Sequence, residues 1–330
     1  MANGKLPNDE LKKLLETITF HREETLIGSK LGMDTAILDF GKDLVVLSTD
    51  PITGASKGIG KIAIDVSVND VATSGAESVA CLISILAPSG STMEELKEIL
   101  EDAHCRAKKL KIEIVGGHTE ITDAVNRFVV QTTVIGRLSR KMQLDPSKIE
   151  EGDGVYVTKS IAMEGGLIFC QDYEDAVKKL VPKEEFDEMM AYMEKLSVKT
   201  EGELGAPFCH YMHDITEGGL FGAIYEASQG FGKGIIINEE DIPVDPGIKH
   251  LSHALGINVY RLISSGSMLM IGKDEEGLRK AMEKAQIPLT KIGTVQGKGA
   301  FLKGKDGLIA IDPPTKDHLY QGLRILGEQE

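Results

Sequence analysis

The sequence has 330 residues, enough for two domains, and its 42% apolar and 27% charged residues are the balance of a globular protein, not of a disordered chain. A formal net charge of -14 with no long basic run argues against nucleic acid or an anionic membrane surface as a partner. The opening MANGKLPNDELKKLL is polar, no apolar run approaches ~18 residues, and Cys81, Cys105, Cys170 and Cys209 show no CxxC spacing, which together point to a cytoplasmic protein with buried, reduced thiols.

Pro7 to Glu16 reads as a short amphipathic helix striped by Leu11, Leu14 and Leu15. From Ile27 a loop punctuated by Gly28 and Gly32 passes Asp34 into a strand at Thr35 to Leu38. Leu44 to Ser48 is a β-rich run of the kind buried on both faces, and it ends in Thr49-Asp50-Pro51. The loop Thr53 to Gly60 holds three glycines and Lys57 and delivers the chain into a helix spanning Gly58 to Gly75. Ile59, Ile62, Val66 and Thr73 line one side of that helix, while Ile64, Val68 and Val71 cover much of the other, so it is expected to be buried all round. Asn69 and Asp70 fall on or beside the Ile62 and Val66 stripe, where an ionised carboxylate is unfavourable unless a cation or several donors meet it. The structural alternative for Asp70 is a backbone cap or a lysine partner.

Ser78 to Leu86 reads as another buried strand. Ser91 and Glu94 stand at capping-box spacing and open a helix to about Leu110, with Met93, Leu96, Ile99 and Leu100 on its buried face. Ile112 to Val115 is a short strand followed by Gly116-Gly117-His118-Thr119-Glu120, and Arg127 to Gly136 is a β-branched strand. The polar stretch Gln143 to Gly154 separates a domain of residues 1–150 from one of residues 151–330. Beyond it come a strand at Val155 to Thr158, the loop SIAMEGG feeding a helix from Leu167, and a charged helical segment from Tyr173 to Thr200. His213-Asp214-Ile215-Thr216-Glu217-Gly218-Gly219 leads into a helix ending near Ser228. Strands at Gly234 to Asn238, Ser267 to Ile271 and Lys291 to Val295 then alternate with helices near Ile248 to Leu255 and Glu275 to Ala285, completing an α/β pattern.

Asp34, Asp50 and Asp70 each lie at or next to the end of an expected buried element, and Glu120 follows a double glycine in a similar place. Carboxylates gathered in this way repel one another unless divalent cations intervene, and hard oxygen ligands suit Mg²⁺ carrying phosphate oxygens. Lys57 and Lys61, with amides at the helix start, are candidates to meet the phosphates. Neither GxxxxGK[ST] nor a GxGxxG in strand-turn-helix context occurs. In the second domain Asp214 and Glu217 precede Gly218 and Gly219 and face either a second substrate or a plain helix cap, while His213 reads as a hydrogen-bonded structural group and Met189, Met193 and Leu196 as core.

LGMDTAIL around Asp34, Ser48-Thr49-Asp50, SVNDVATSGA around Asp70, GGHTE at Gly116 to Glu120, ITEGGL at Ile215 to Leu220 and SSGSMLM at Ser264 to Met270 follow one another as in the PurM-like (AIR synthase-related) superfamily, which this chain resembles along nearly its whole length. The overall layout looks most like the hydrogenase-maturation HypE-like branch. The resemblance implies an α/β (α+β) fold of two domains, an N-terminal sheet that forms a barrel with that of a second subunit and a C-terminal α/β sandwich that closes over the site. It implies ATP with Mg²⁺ and a phosphoryl transfer that activates an oxygen, often of an amide or acyl group, on a small-molecule substrate. Thiamine-monophosphate-kinase-like phosphorylation and a non-catalytic nucleotide-binding scaffold with a maturation-factor partner are the alternatives. By position it implies Asp34, Asp50 and Asp70 as metal and phosphate positions; together with the reading of the residues themselves, the candidates are Asp34, Asp50, Asp70 and Glu120 at the metal, Asp50, Lys57, Lys61, Asn69, Gly116, Gly117, His118 and Thr119 at the nucleotide, and Asp70 and Asp214 in catalysis. Two departures stand out: His118 occupies a position where the superfamily commonly has an acid, and the sequence ends Arg-Ile-Leu-Gly-Glu-Gln-Glu where HypE proper carries a cysteine.

Overall fold

A computed structural model describes residues 23–28, 35–53, 58–314 and 316–328. The expected helix at Pro7 to Glu16, Asp34 and Lys57 lie outside the described residues. The first part of the chain runs β1 (Thr25–Ile27), β2 (Ala36–Asp39), β3 (Asp43–Ile52), α1 (Ile59–Thr73), β4 (Glu77–Pro88), α2 (Met93–Lys109), β5 (Glu113–Thr122) and β6 (Val129–Ser139). Its strands form one sheet in the order β1-β2-β3-β6-β4-β5, antiparallel except where the α2 crossover makes β4 and β5 parallel.

After two short 3-10 turns the chain continues as β7 (Gly154–Thr158), α3 (Met163–Asp172), α4 (Glu174–Leu180), α5 (Lys183–Met190), α6 (Lys199–Gly205), β8 (Tyr211–Asp214), α7 (Gly219–Phe231), β9 (Ile235–Asn238), α8 (Pro246–Ala254), β10 (Met268–Gly272), α9 (Glu275–Lys284), β11 (Leu289–Val295), β12 (Ala300–Gly304), β13 (Gly307–Ala310) and α10 (His318–Gly327). The second sheet has the order β13-β12-β9-β11-β7-β10-β8, with β12 and β9 as its parallel pair. No strand is shared between the two sheets, so the molecule is a mixed α/β protein with two sheet-containing domains.

Helix α1 is the hinge of this arrangement. Its core-facing residues Ile64, Val68 and Val71 pack with α2 and the first sheet, whereas Ile62 and Val66 pack with Met163, Leu167 and Leu196 of the second domain. The helix is therefore buried on both sides, as its apolar pattern requires. It starts on Gly58, whose φ of +66° is the left-handed conformation glycine adopts without strain. Gly60 lets α1 and α2 touch, because a Cβ there would fall 2.2 Å from the Ile99 carbonyl oxygen.

Several expectations are corrected at this level. The α2 cap is Thr92, which accepts from the Glu95 amide while the Glu95 carboxylate accepts from the Thr92 amide; both Ser91 and Thr92 fit the S/T-x-x-E spacing, but Ser91 donates to the Pro88 carbonyl instead. Met93 and Leu100 point to solvent, and Leu96, Ile99, Ala103 and Arg106 form the buried stripe. β3 alternates buried and half-buried residues, because helices cover only one face of its sheet. The SIAMEGG stretch enters α3 already at Met163, where Gly165 lies against Leu262 with no room for a side chain. Cys105 is exposed, while Cys81, Cys170 and Cys209 are buried free thiols. Strands β12 and β13 and helix α10 were not foreseen. Among the described residues no helix is long and apolar enough to cross a membrane.

One buried charge on α1 escaped notice in the sequence. Arg106 Nε of α2 donates to both carboxylate oxygens of Asp65 at 2.7 and 2.8 Å, and both side chains are withdrawn from water. Burial pushes Asp65 up to about 6 against the pull of Arg106. Arg106 Nη1 and Lys109 Nζ also reach Glu194 of the second domain, at 3.4 and 2.8 Å, so this cluster joins α1, α2 and the next domain. Replacing Arg106 alone with Met strands the Asp65 carboxylate and is expected to cost about 3–5 kcal/mol in denaturant unfolding, most of which the double change Asp65→Leu with Arg106→Met restores. Equal losses in the single and double variants would show that the pair is not what holds the helices.

Candidate active site

The carboxylates singled out on the first domain divide between the two faces of its sheet. Ser48, Asp50 and Ile52 of β3 project to the face that α1 covers, in register with Thr132 of β6 and Ile83 of β4 at the level of Asp50. On that face Ser48 Oγ donates to Asp70 Oδ2 at 2.5 Å, and Asp70 is only 7% exposed. Asp50, two residues beyond Ser48, is half-buried. Carboxylate and hydroxyl oxygens such as those of Ser48, Asp50 and Asp70 are chemically suited to a hard divalent cation.

Asn69, next to Asp70, does something else. Its Nδ2 donates to the Leu196 carbonyl and its Oδ1 accepts from the Val198 amide, both at 2.8 Å, so the side-chain amide is used at both ends as a clamp on the second domain. Lys61 faces α2 and pairs with Asp102 at 3.6 Å. Their register on α1 explains these partners: Lys61 lies on the α2 side and Asn69 on the second-domain side.

Gly116, Gly117, His118, Thr119 and Glu120 all lie within β5, not at a strand-to-helix turn. Gly117 backs onto β4 so closely that a Cβ would sit 1.7 Å from the Ile83 carbonyl oxygen. His118 pairs across the sheet with Ser84, which pairs with Gln131, which pairs with Pro51; that row belongs to the face away from α1. His118 Nε2 and Glu120 Oε2 lie 3.5 Å apart there, both exposed. The structure thus puts Asp50 on the sheet face where Ser48 meets Asp70 and leaves His118 and Glu120 on the opposite face. Among the described residues no three His, Cys, Asp or Glu side chains converge as a metal cluster.

In the second domain Asp214 ends β8 and is 2% exposed, beside His213, which is within 3.2 Å of Glu226 through Nε2. Gly218 and Gly219 turn the chain into α7 with φ of +89° and +63°, and a side chain at Gly219 would strike the Tyr260 and Leu262 carbonyls. Asp317, unnoticed in the sequence, ties this turn to its neighbours: it accepts from the amides of Gly218 at 2.7 Å, Ile263 at 3.2 Å and Leu319 at 2.7 Å. Burial raises it to about 6 against those three amides. Glu164, on the first turn of α3, is also buried, and burial lifts it to about 7, opposed by hydrogen bonds from Ser265 and reinforced by the charges of Asp317 and Glu217. The clue to Glu164 was its place in SIAMEGG, an acid between residues that proved to be helix core.

Two family models match the chain: AIR synthase related protein, N-terminal domain, over residues 32–138, and AIR synthase related protein, C-terminal domain, over residues 150–303. A putative hydrogenase expression/formation protein of Methanocaldococcus jannaschii is 27% identical over 96% of this chain and 96% of its own length. The carbamoyl dehydratase HypE of Bradyrhizobium diazoefficiens is 24% identical over 73% of this chain and 70% of its own. Among solved structures, a hydrogenase maturation protein HypE in complex with ATP superposes with a TM-score of 0.71 at 18% identity, covering 92% of this chain and 91% of that one. AaThiL complexed with AMPPCP and TMP gives a TM-score of 0.73 at 20% identity, covering 94% and 95%.

Two measurements check these assignments. Asn69→Ala leaves the Leu196 carbonyl and the Val198 amide without their partner and is expected to cost about 2–4 kcal/mol of unfolding free energy; a change under about 0.5 kcal/mol would remove the clamp from the account. For Glu164 the folded protein holds a proton between 4.5 and about 7 that the unfolded chain has released, so its share of stability falls as pH rises through that window and stays low above it. Glu164→Gln should therefore gain on wild type by about 1–3 kcal/mol between pH 4.5 and pH 8 in parallel unfolding series. Parallel pH profiles for the two proteins would contradict this.

Proposed function

This chain belongs to the AIR synthase related (PurM-like) family, and on that premise we propose that it is a HypE-like, ATP-dependent phosphoryl-transfer enzyme whose Mg²⁺-nucleotide site centres on Asp50 and Asp70. The observation that carries this reading is the pair of oxygen-rich side chains on the α1-covered face: Asp70, almost wholly buried, meets a hydroxyl from Ser48, with Asp50 two residues along the same strand. Asp50 and Asp70 would hold the metal, which when bound neutralises phosphate charge and orients the transferred group. Asp34, beyond the described residues, is the third candidate ligand.

The chain's own residues supply the rest. The Asn69 clamp fixes the register between α1 and the second domain, so that Asp70 keeps one position relative to the Leu196–Val198 segment. Phosphoryl transfer depends chiefly on positioning and charge neutralisation, and an acid held between two domains provides the first. The turn at Gly218 and Gly219, with Asp214 and Glu217, is the candidate seat of the acceptor, a small molecule or a carboxamide-like group. A HypE of the same fold with ATP bound, and the sequence likeness to carbamoyl dehydratase HypE, support this reading.

We further infer a homodimer joined through the sheet face that the helices leave open. That face carries Leu82, 42% exposed, with Leu47 and Ile135 half-buried beside it, and it also presents His118 and Glu120. A second copy covering it would close the two sheets into one barrel. Light scattering after size-exclusion chromatography is expected to return twice the 35.7 kDa chain mass, and Leu82→Asp should shift it to one; a wild-type monomer would sink the dimer.

Calorimetric titration with a nonhydrolysable ATP analogue and Mg²⁺ tests the site. Binding in the wild type, weakened at least about tenfold by Asp70→Asn and by Asp50→Asn at unchanged melting temperature, is the expected outcome. Binding that is indifferent to both substitutions would place the nucleotide elsewhere, and no binding at all would favour a scaffold over an enzyme.

A further inference from the structure

The second sheet ends in a strand that nothing among the described residues covers. β13 is Gly-Leu-Ile-Ala, every residue of it is exposed, Leu308 by 58% and Ile309 by 56%, and among the described residues only β12 pairs with it. Edge strands are ordinarily blunted by a charge, a proline, a bulge or a covering segment, since their free amides and carbonyls otherwise recruit another chain. Gly307–Ala310 carries no charge and no proline, and its pairing with β12 is regular from Phe301↔Ala310 to Gly304↔Gly307. The strand is also not a minor excursion of the core. Ile309 lies beside Leu302, and Leu302 beside Ile237, so the edge continues a row of the buried sheet face.

The surroundings say what kind of chain fits. A cleft of about 660 Å³ opens on the other face of the same outer strands, and Ile236, Asn238, Thr294, Lys303, Lys305 and Leu308 are among its walls. Between Leu289 and Ala310 the sequence places Lys291, Lys298, Lys303 and Lys305 against the single acid Asp306, in a protein whose net charge is -14. Lys291 is engaged by Glu275 at 2.7 Å, but Lys298, Lys303 and Lys305 form no ion pair among the described residues. The nearby acids are otherwise occupied: Asp241 accepts from Asn238 at 2.9 Å and Glu239 from the Tyr260 hydroxyl at 3.3 Å.

We propose that β13 is a docking edge for an extended, acidic segment of a partner protein, which adds to the sheet as a further strand while Lys303 and Lys305 meet its carboxylates. Backbone pairing supplies the affinity, Leu308 and Ile309 receive alternate apolar side chains, and the lysines select for acid.

A fluorescent decapeptide of alternating valine and glutamate, titrated into the full chain and followed by anisotropy, provides the test, with hydrogen exchange at residues 307–310 as a second readout. The expected result is that the peptide binds, protects the β13 amides, and is weakened roughly tenfold or more both by Lys303→Glu with Lys305→Glu and by salt near 0.5 M, while a valine–lysine peptide does not bind. Three results overturn the proposal: outward-facing β13 amides, those not bonded to β12, already protected without peptide, so that the chain or a second copy covers the edge; equal binding of acidic and basic peptides; or binding that leaves the exchange of those amides unchanged. Leu308→Asp, which acts on the exposed edge and not on the core, keeps the test open if the double charge reversal reduces stability.

Discussion

A helix buried on every side must find a partner for each polar group it carries, and α1 carries three of consequence. Asp65 is met by the Arg106 guanidinium, Asn69 by a carbonyl and an amide of the second domain, and Asp70 by a hydroxyl from β3. Those three solutions differ in what they join. The first two fasten α1 to α2 and to the second domain, whereas the bond from Ser48 sets a buried carboxylate against β3, where its oxygens are of the kind that suits a hard cation. The fold and the candidate chemistry therefore branch from one fifteen-residue element.

The same helix explains how the two domains are held against each other. Ile62 and Val66 are packed against α3 and the segment around Leu196, so the first domain cannot shift relative to the second without exposing α1. Asn69 then fixes the register that hydrophobic contact alone would leave loose, since apolar packing is not directional. On the far side, the loops after β7 and β8 and before β10 meet around Gly218, held by Asp317 and by Ser264, which donates to the Leu262 carbonyl and accepts from the Ala162 amide.

Much of this was legible in the sequence, because α1 announces itself: apolar residues on both helical faces with a carboxylate among them allow few explanations. The family motifs likewise follow one another along the chain, and the strands and helices of the second domain fall close to their expected places through β11. What could not be read was which face of a strand each motif would occupy. GGHTE looked like a turn after a short strand, yet Gly117 permits β5 to run on beside β4, and a period of two then carries His118 and Glu120 away from Asp50. Asp65 was missed although the argument applied to Asp70 applies to it equally. Asp317 was invisible for another reason: its burial depends on loops distant in sequence that meet only in the folded domain.

The most direct measurement is a crystal structure of the protein with Mg²⁺ and a nonhydrolysable ATP analogue. The account predicts a metal bound by the carboxylates of Asp50 and Asp70 at roughly 2.0–2.1 Å, with the nucleotide phosphates on it and the Asn69 bonds to Leu196 and Val198 intact. A nucleotide bound away from α1, or a metal held by His118 and Glu120 with Asp70 still bonded only within the protein, would contradict it.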